Sequence, residues 1–226
     1  PRHGPWLLLG SIATDAPLEP DKPMQRDCGT CDACIPACPT NAIVAPGVLD
    51  ASRCLAHWLQ TAGVFPAELR VALGDRFYGC DDCLDACPPG KKQLTDVSEG
   101  VGRVDLLELL AAGDDSLLAR YPHFYIPRRR PRILRRNAII ALANSVAAAV
   151  PADRDASENN QVMEVLAGYL NGPDEQLRLH SAWAIGRIGG EVAKQLLVDR
   201  RGAERVPQVK EEIDAALTGL RFSEST

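Results

Sequence analysis

Cys28-Gly-Thr-Cys31-Asp-Ala-Cys34-Ile-Pro-Ala-Cys38-Pro39, answered downstream by Cys54 and by Cys80-Asp-Asp-Cys83-Leu-Asp-Ala-Cys87-Pro88, contains all eight cysteines of this chain. Short gaps let several thiolates of one loop converge on one cluster, and the last cysteine of a run opens a helix facing its neighbour. The x2, x2, x3 spacing followed by Pro is that of the bacterial two-cluster ferredoxin run, in which the fourth cysteine ligates the other cluster. The second run lacks its first cysteine, because Phe77 stands where the repeat would place it. Cys54 is spare and fills that vacancy. The spacing therefore predicts one 4Fe–4S cluster on Cys28, Cys31, Cys34 and Cys87, and a second on Cys38, Cys54, Cys80 and Cys83.

Eight cysteines have two other possible uses. Four disulfides would suit a secreted scaffold, but no signal peptide is visible and the spacing is not of that kind. Two zinc sites are possible by count, yet zinc pairs read as separated CxxC couples, whereas here four thiols fall within eleven residues. Thiolate-held clusters are one-electron carriers with no vacant site for a substrate. Asp81, Asp82 and Asp85 lie beside the ligands, and negative charge there disfavours an added electron and lowers the potential. The alternative is a solvated acidic loop. His57, the one histidine near the cysteines, reads as a packing residue, and Trp58 and Trp183 read as core. No nucleophile–base pair, P-loop or dinucleotide fingerprint is present.

The 226 residues suit one or two domains, and 46% apolar content supports a core. A net charge of −5 argues against a wholesale polyanion binder but conceals an asymmetry. Arg128, Arg129, Arg130, Arg132, Arg135 and Arg136 place six cations in nine residues. Such a run is either the solvated first turn of a helix or a phosphate-contacting surface, for which the guanidinium fork is well shaped. Tyr121, Phe124 and Tyr125 are close enough in sequence to stack on bases. No stretch is long and apolar enough to span a membrane. The chain begins on Pro and runs at once into Pro5-Trp6-Leu7-Leu8-Leu9-Gly10, the pattern expected of a fragment lacking its N-terminal part.

The expected fold class is α+β to mostly α: a bacterial ferredoxin-like two-cluster module followed by HEAT-like helical repeats. Residues 1–27 read as a strand-like piece and an extended approach, 28–90 as the cluster module with short helices after Cys38 and Cys54, and 91–127 as a linker with short helices. Residues 128–226 read as repeats. There Leu134-Arg-Arg-Asn-Ala-Ile-Ile-Ala-Leu142 aligns with Leu177-Arg-Leu-His-Ser-Ala-Trp-Ala-Ile185 at a period of 43, within the range of HEAT-type pairs. Two pairs alone would be marginal, so they are expected to lean on the cluster module through residues 104–127.

Residues 28–54 (CGTCDACIPACPTNAIVAPGVLDASRC) and 72–88 (ALGDRFYGCDDCLDACP) closely resemble the ferredoxin module of the epoxyqueuosine reductases. The resemblance extends upstream through residues 4–21 and downstream through residues 125–145. It implies an oxidoreductase that reduces the epoxide of epoxyqueuosine at the tRNA wobble position, with cobalamin as cofactor beside the two clusters. It also implies as partners a tRNA with a GUN anticodon and an external electron donor such as flavodoxin or ferredoxin, and a monomer in the cytoplasm with no membrane contact. Leu9, Cys80 and Asp81 fall where that family approaches cobalamin. The proton-donating carboxylate belongs to an N-terminal cobalamin domain outside these residues, so none of the residues here is expected to be catalytic. The competing reading is a ferredoxin-type electron carrier whose repeats dock a protein.

Overall fold

The computed structural model describes residues 4–7, 9–23, 27–91, 104–149 and 156–223. The expectations for Leu8 and for most of the linker at 91–102 lie outside them. Two compact units share the chain. One comprises residues up to Cys54 together with Asp81–Arg103; the other comprises Leu55–Cys80 together with everything from Val104 onward.

In the cysteine-rich unit, helix α1 (Cys34–Ala37) is followed by strands β1 (Ile43–Ala45) and β2 (Val48–Leu49). These pair antiparallel with Ile43 opposite Leu49 and Ala45 opposite Val48. The helix expected after Cys38 is thus a hairpin. Its cause is local: Asn41 takes φ 51°, and Pro46-Gly47 between β-branched residues supplies the turn, with Gly47 at φ 74°. The helix expected after Cys54 is present as α2 (Leu55–Gln60), but it packs within the other unit. Helices α4 (Asp82–Asp85) and α5 (Pro88–Lys91) complete the unit, and α1 rests on α4 and β1.

The strand expected around Leu9 does not form among the described residues. Leu9 is 93% exposed and Ile12 92%, and the described residues hold no sheet edge besides the hairpin. Upstream, Gly4 lies so close to Gly90 that a Cβ on it would fall 2.7 Å from the Gly90 nitrogen, while the Trp6 ring covers Gly90 from another side.

The helical unit follows the sequence more closely. Short helices α3 (Ala67–Arg70), α6 (Leu106–Ala111) and α7 (Asp114–Arg120) precede α8 (Arg132–Ala148), α9 (Ala156–Leu170), α10 (Glu175–Ile188), α11 (Glu191–Ala203) and α12 (Pro207–Ser223). Asp105 and Asp174 cap α6 and α10 by accepting from backbone N–H groups, which satisfies donors left over in a first turn. The two aligned segments fall on α8 and α10. Helix α10 is central, packing on α8, α9 and α12. Ala141 and Ala184 are fully buried, as expected of small residues between close helices. Helix α6 packs on α8 and α9.

Residues 55–80 pack against α8 and α10 through polar side chains as well as apolar ones. Leu55, Leu59, Phe65, Leu69 and Leu73 form a cluster with Ile140. Around it, Asn137 donates to the Leu59 carbonyl (2.8 Å), and Asn144 donates to those of Arg70 (2.7 Å) and Gly74 (3.0 Å). Buried His180 accepts from the Phe65 N–H at 3.0 Å through Nε2. Burial, and then the charges of Arg70 and Arg136, hold its imidazole well below the usual histidine range.

Candidate cluster-binding site and basic face

Cys28 and Cys31 sit on an exposed loop whose turn closes by a Cys31 N–H to Cys28 carbonyl bond of 3.1 Å. Gly29 there takes φ 56° and donates to Asp27 Oδ1 at 2.8 Å. Cys34 opens α1 and Cys38 ends it in extended geometry. The Ala42 N–H donates to the Cys38 sulfur at 3.2 Å. The Thr40 hydroxyl lies 3.6 Å from the same sulfur and donates to the Arg53 carbonyl at 2.6 Å, which ties the first loop to the residue before Cys54. Burial alone would raise the Cys38 thiol. The contact with the Thr40 side chain and hydrogen bonds from the Ala42, Thr40 and Ile43 backbone outweigh it and hold the thiol below its ordinary value. That is the environment a thiolate ligand needs.

Cys54 ends a turn of 3-10 helix (Ala51–Arg53) capped by Asp50. Cys83 lies within α4, and Cys87 follows its end. Burial raises the Cys83 thiol, as do the charges of Cys38, Cys54 and Cys34. Partial burial and then the charges of Asp85 and Asp82 likewise raise the Asp81 carboxyl. All eight cysteines are free thiols, exposed or half-buried. Among the described residues no three His, Cys, Asp or Glu side chains form a single-ion site. A cubane asks something different, one thiolate at each of four irons, and an all-thiol donor set fits it.

Phe77, at the position of the missing cysteine, belongs to an aromatic cluster. Its ring centroid lies 5.6 Å from Tyr121 and 6.0 Å from Phe124. Tyr78 stacks on Phe124 at 3.8 Å. Its phenol accepts from the Tyr125 N–H (2.7 Å) and donates to the Tyr125 carbonyl (3.2 Å). The segment leading into Cys80 is thereby fixed from both sides. Tyr121 and Phe124, proposed from sequence as base platforms, are stacked on each other at 4.8 Å instead, and Tyr125 alone stays largely exposed. His57 packs on Trp58 at 5.5 Å, and Trp58 and Trp183 border the Leu55–Ile140 cluster, as their core reading requires.

The arginine run divides. Arg136 is 2% exposed and donates to the carbonyls of Trp58, Thr61 and Gly63 and to Asn137. Burial, followed by the neighbouring Arg132 charge, lowers its pKa to about 10. Its assignment to nucleic acid is therefore corrected: it is a structural cation. The sequence did carry the signal, since Ile133, Arg136, Asn137, Ile140 and Asn144 lie on one face of α8 at spacings of three and four. Arg135 pairs with Asp114 and donates to the Ala112 carbonyl at 2.7 Å. Arg132 lies 3.4 Å from Asp174. Arg129 donates to the Leu118 carbonyl at 3.0 Å, while Arg128 and Arg130 make no ion pair among the described residues. Arg128 and Arg129 both take positive φ (53° and 51°), a costly conformation for residues with side chains.

A 4Fe-4S double cluster binding domain family matches residues 27–90. The chain is 32% identical to the epoxyqueuosine reductase of Bacillus subtilis over all of its own length and 57% of that protein. It is 37% identical to that of Vibrio cholerae over 81% of the chain and 48% of the relative. Among solved structures it resembles an epoxyqueuosine reductase crystallised with an epoxyqueuosine-modified tRNA-Tyr stem loop. That match has a TM-score of 0.77 and 33% identity, over 91% of this chain and 53% of the other. The chain thus spans about half the length of the epoxyqueuosine reductases it matches.

Proposed function

This chain is a homologue of the epoxyqueuosine reductases, and we propose that it supplies the electron-transfer and tRNA-binding portion of such an enzyme, converting epoxyqueuosine to queuosine at the wobble position. The observation that carries the reading is the free eight-thiol set within a double-cluster domain, in a chain resembling a relative solved with a modified tRNA stem loop. In this reading Cys28, Cys31, Cys34 and Cys87 hold one cluster, and Cys38, Cys54, Cys80 and Cys83 the other. The charges of Cys38 and Cys54, and that of Cys34 from the other set, all reach Cys83, as two neighbouring clusters require. The Ala42 N–H stabilises the Cys38 thiolate, and Asp81, Asp82 and Asp85 keep the potential low.

Cobalamin, if bound, would supply reducing chemistry for opening the epoxide. Leu9, exposed and unpacked, and the Cys80-Asp81 turn offer apolar and backbone contacts to it, and we assign the corrin pocket and the proton-donating carboxylate to the half of the relatives this chain does not cover. An external one-electron donor of the flavodoxin or ferredoxin type feeds the clusters. Arg128, Arg129 and Arg130 meet the phosphates of a tRNA with a GUN anticodon.

Anaerobic reconstitution tests the core of this reading. The chain should bind about eight irons, as two cubanes require, and Cys54→Ser should lose only the cluster shared with Cys38. A Cys54→Ser protein that keeps eight irons and both paramagnetic signals on reduction would refute the ligand assignment.

A further inference from the structure

A cavity of about 770 Å³ opens in the helical unit, lined by Asp114, Arg130, Arg132, Arg135, Tyr169 and Asp174 among others. Its acids are already engaged. Asp174 caps α10 through Oδ1, accepting from the Gln176 and Leu177 N–H groups at 2.9 and 3.1 Å. Asp114 is held by Arg135, and the Tyr169 hydroxyl donates to the Leu110 carbonyl at 2.6 Å. Two guanidiniums are not fully engaged. Arg130 makes no ion pair among the described residues, and Arg132 contacts Asp174 only at 3.4 Å while its Nε is buried without a hydrogen-bond partner. A buried donor without an acceptor is unfavourable, and it calls for a ligand that brings oxygens.

The ligand chemistry follows from these groups. The cavity offers excess positive charge, planar N–H forks suited to paired oxygens, and more room than a lone oxyanion needs. We propose that it is a phosphate site, in which Arg130 and Arg132 clasp one backbone phosphate of RNA and the remaining volume takes the attached ribose. The proposal rests on the tRNA-binding reading above and deepens it. Of the six arginines, Arg130 and Arg132 hold a phosphate inside the cavity, Arg128 and Arg129 act outside it, and Arg135 and Arg136 hold the fold.

The test uses the 226-residue chain, an anticodon stem-loop RNA, AMP and inorganic phosphate. RNA affinity is titrated at several salt concentrations for wild type, Arg128→Gln, Arg130→Gln and Arg132→Gln, with circular dichroism as the folding control. Arg130→Gln removes no ion pair, so it stays informative if Arg132→Gln disturbs the Asp174 cap. Each cavity variant should weaken RNA binding by roughly tenfold and reduce the salt slope by about one, the signature of a lost phosphate contact. AMP and phosphate should compete with RNA in wild type and not in Arg132→Gln. If both cavity variants bind RNA as wild type does while Arg128→Gln is weakened, the cavity proposal falls and the tRNA reading stands. If AMP binds but RNA affinity ignores both cavity substitutions, the pocket serves a free nucleotide and the RNA assignment is overturned. Wild type with no affinity for the stem loop at low salt would remove the tRNA reading itself.

Discussion

The two units of this chain are stabilised by different means. Among the described residues, Ala42 is the one buried apolar side chain of the cysteine-rich unit, whereas the helical unit buries continuous rows of Leu, Ile and Ala along α8 to α12. A unit with so little apolar burial gains little from the hydrophobic effect. Ligand binding that occurs only in the folded state then contributes directly to its stability. The helical unit needs no such help and instead encloses charges. The Arg70–Glu212 pair spans 2.8 Å, and Glu204, 1% exposed, accepts from Arg178 and Arg200 at 2.9 and 2.7 Å. Metal thus completes one half of the molecule and buried ion pairs complete the other.

Stripping iron from reconstituted protein should produce the largest separation between them. Amides of residues 28–54 and 81–90 should lose hydrogen-exchange protection by orders of magnitude, while those of α8, α10 and α12 keep theirs. Equal loss in both units would dissolve the distinction.

A smaller effect, confined to the other unit, is expected from Arg136→Ala. It strands the Trp58, Thr61 and Gly63 carbonyls and opens a void under Phe65, over which the guanidinium lies at 5.6 Å. Chemical denaturation should register a loss of about 3 kcal/mol, the scale for removing a buried, hydrogen-bonded charged group. Iron content should be unchanged. A loss below about 1 kcal/mol would mean that water reaches those carbonyls.

Mild acid should give the smallest effect. His180 is buried neutral with its pKa depressed, so the unfolded chain takes up the proton first. The helical unit keeps its full stability above the unfolded histidine value of about 6.5 and loses it as pH falls through that value, by up to about 1.4 kcal/mol per pH unit. Glu204 acts later. Burial would raise its carboxyl, but hydrogen bonds from the Val206 N–H, Arg200, Arg178 and the Arg205 N–H hold it at about 2, so its contribution disappears only between its ordinary 4.5 and that value. Thermal melts from pH 7.5 to 5.5 should therefore decline for wild type and flatten for a folded His180→Gln protein. Parallel declines would place the sensitive proton elsewhere.

The parts legible from sequence were those written in spacing. The cysteine runs and the helical character of the two aligned segments each depend on residues close in the chain, and those segments form α8 and α10. What stayed hidden depended on distant partners. The spacing around Arg136 marks the packed face of α8, but it does not say that carbonyls some 75 residues away will enclose the guanidinium. The grouping of 55–80 with the repeats was masked because cysteines flank that segment on both sides. The hairpin after Cys38 was missed for a local reason: the Ile43-Val44-Ala45-Pro46-Gly47 strand-and-turn signal was outweighed by a helix borrowed from the ferredoxin pattern.

Phe77 restricts what can replace it. Its ring stands where the repeat calls for a cysteine, held against Tyr121 and Phe124 beside a tyrosine that grips the Tyr125 backbone. A cysteine restored there would leave two aromatic rings facing a gap, with Cys54 still in the chain as a ninth thiol's rival. A substitution there would lose packing at once, whatever ligand it offered.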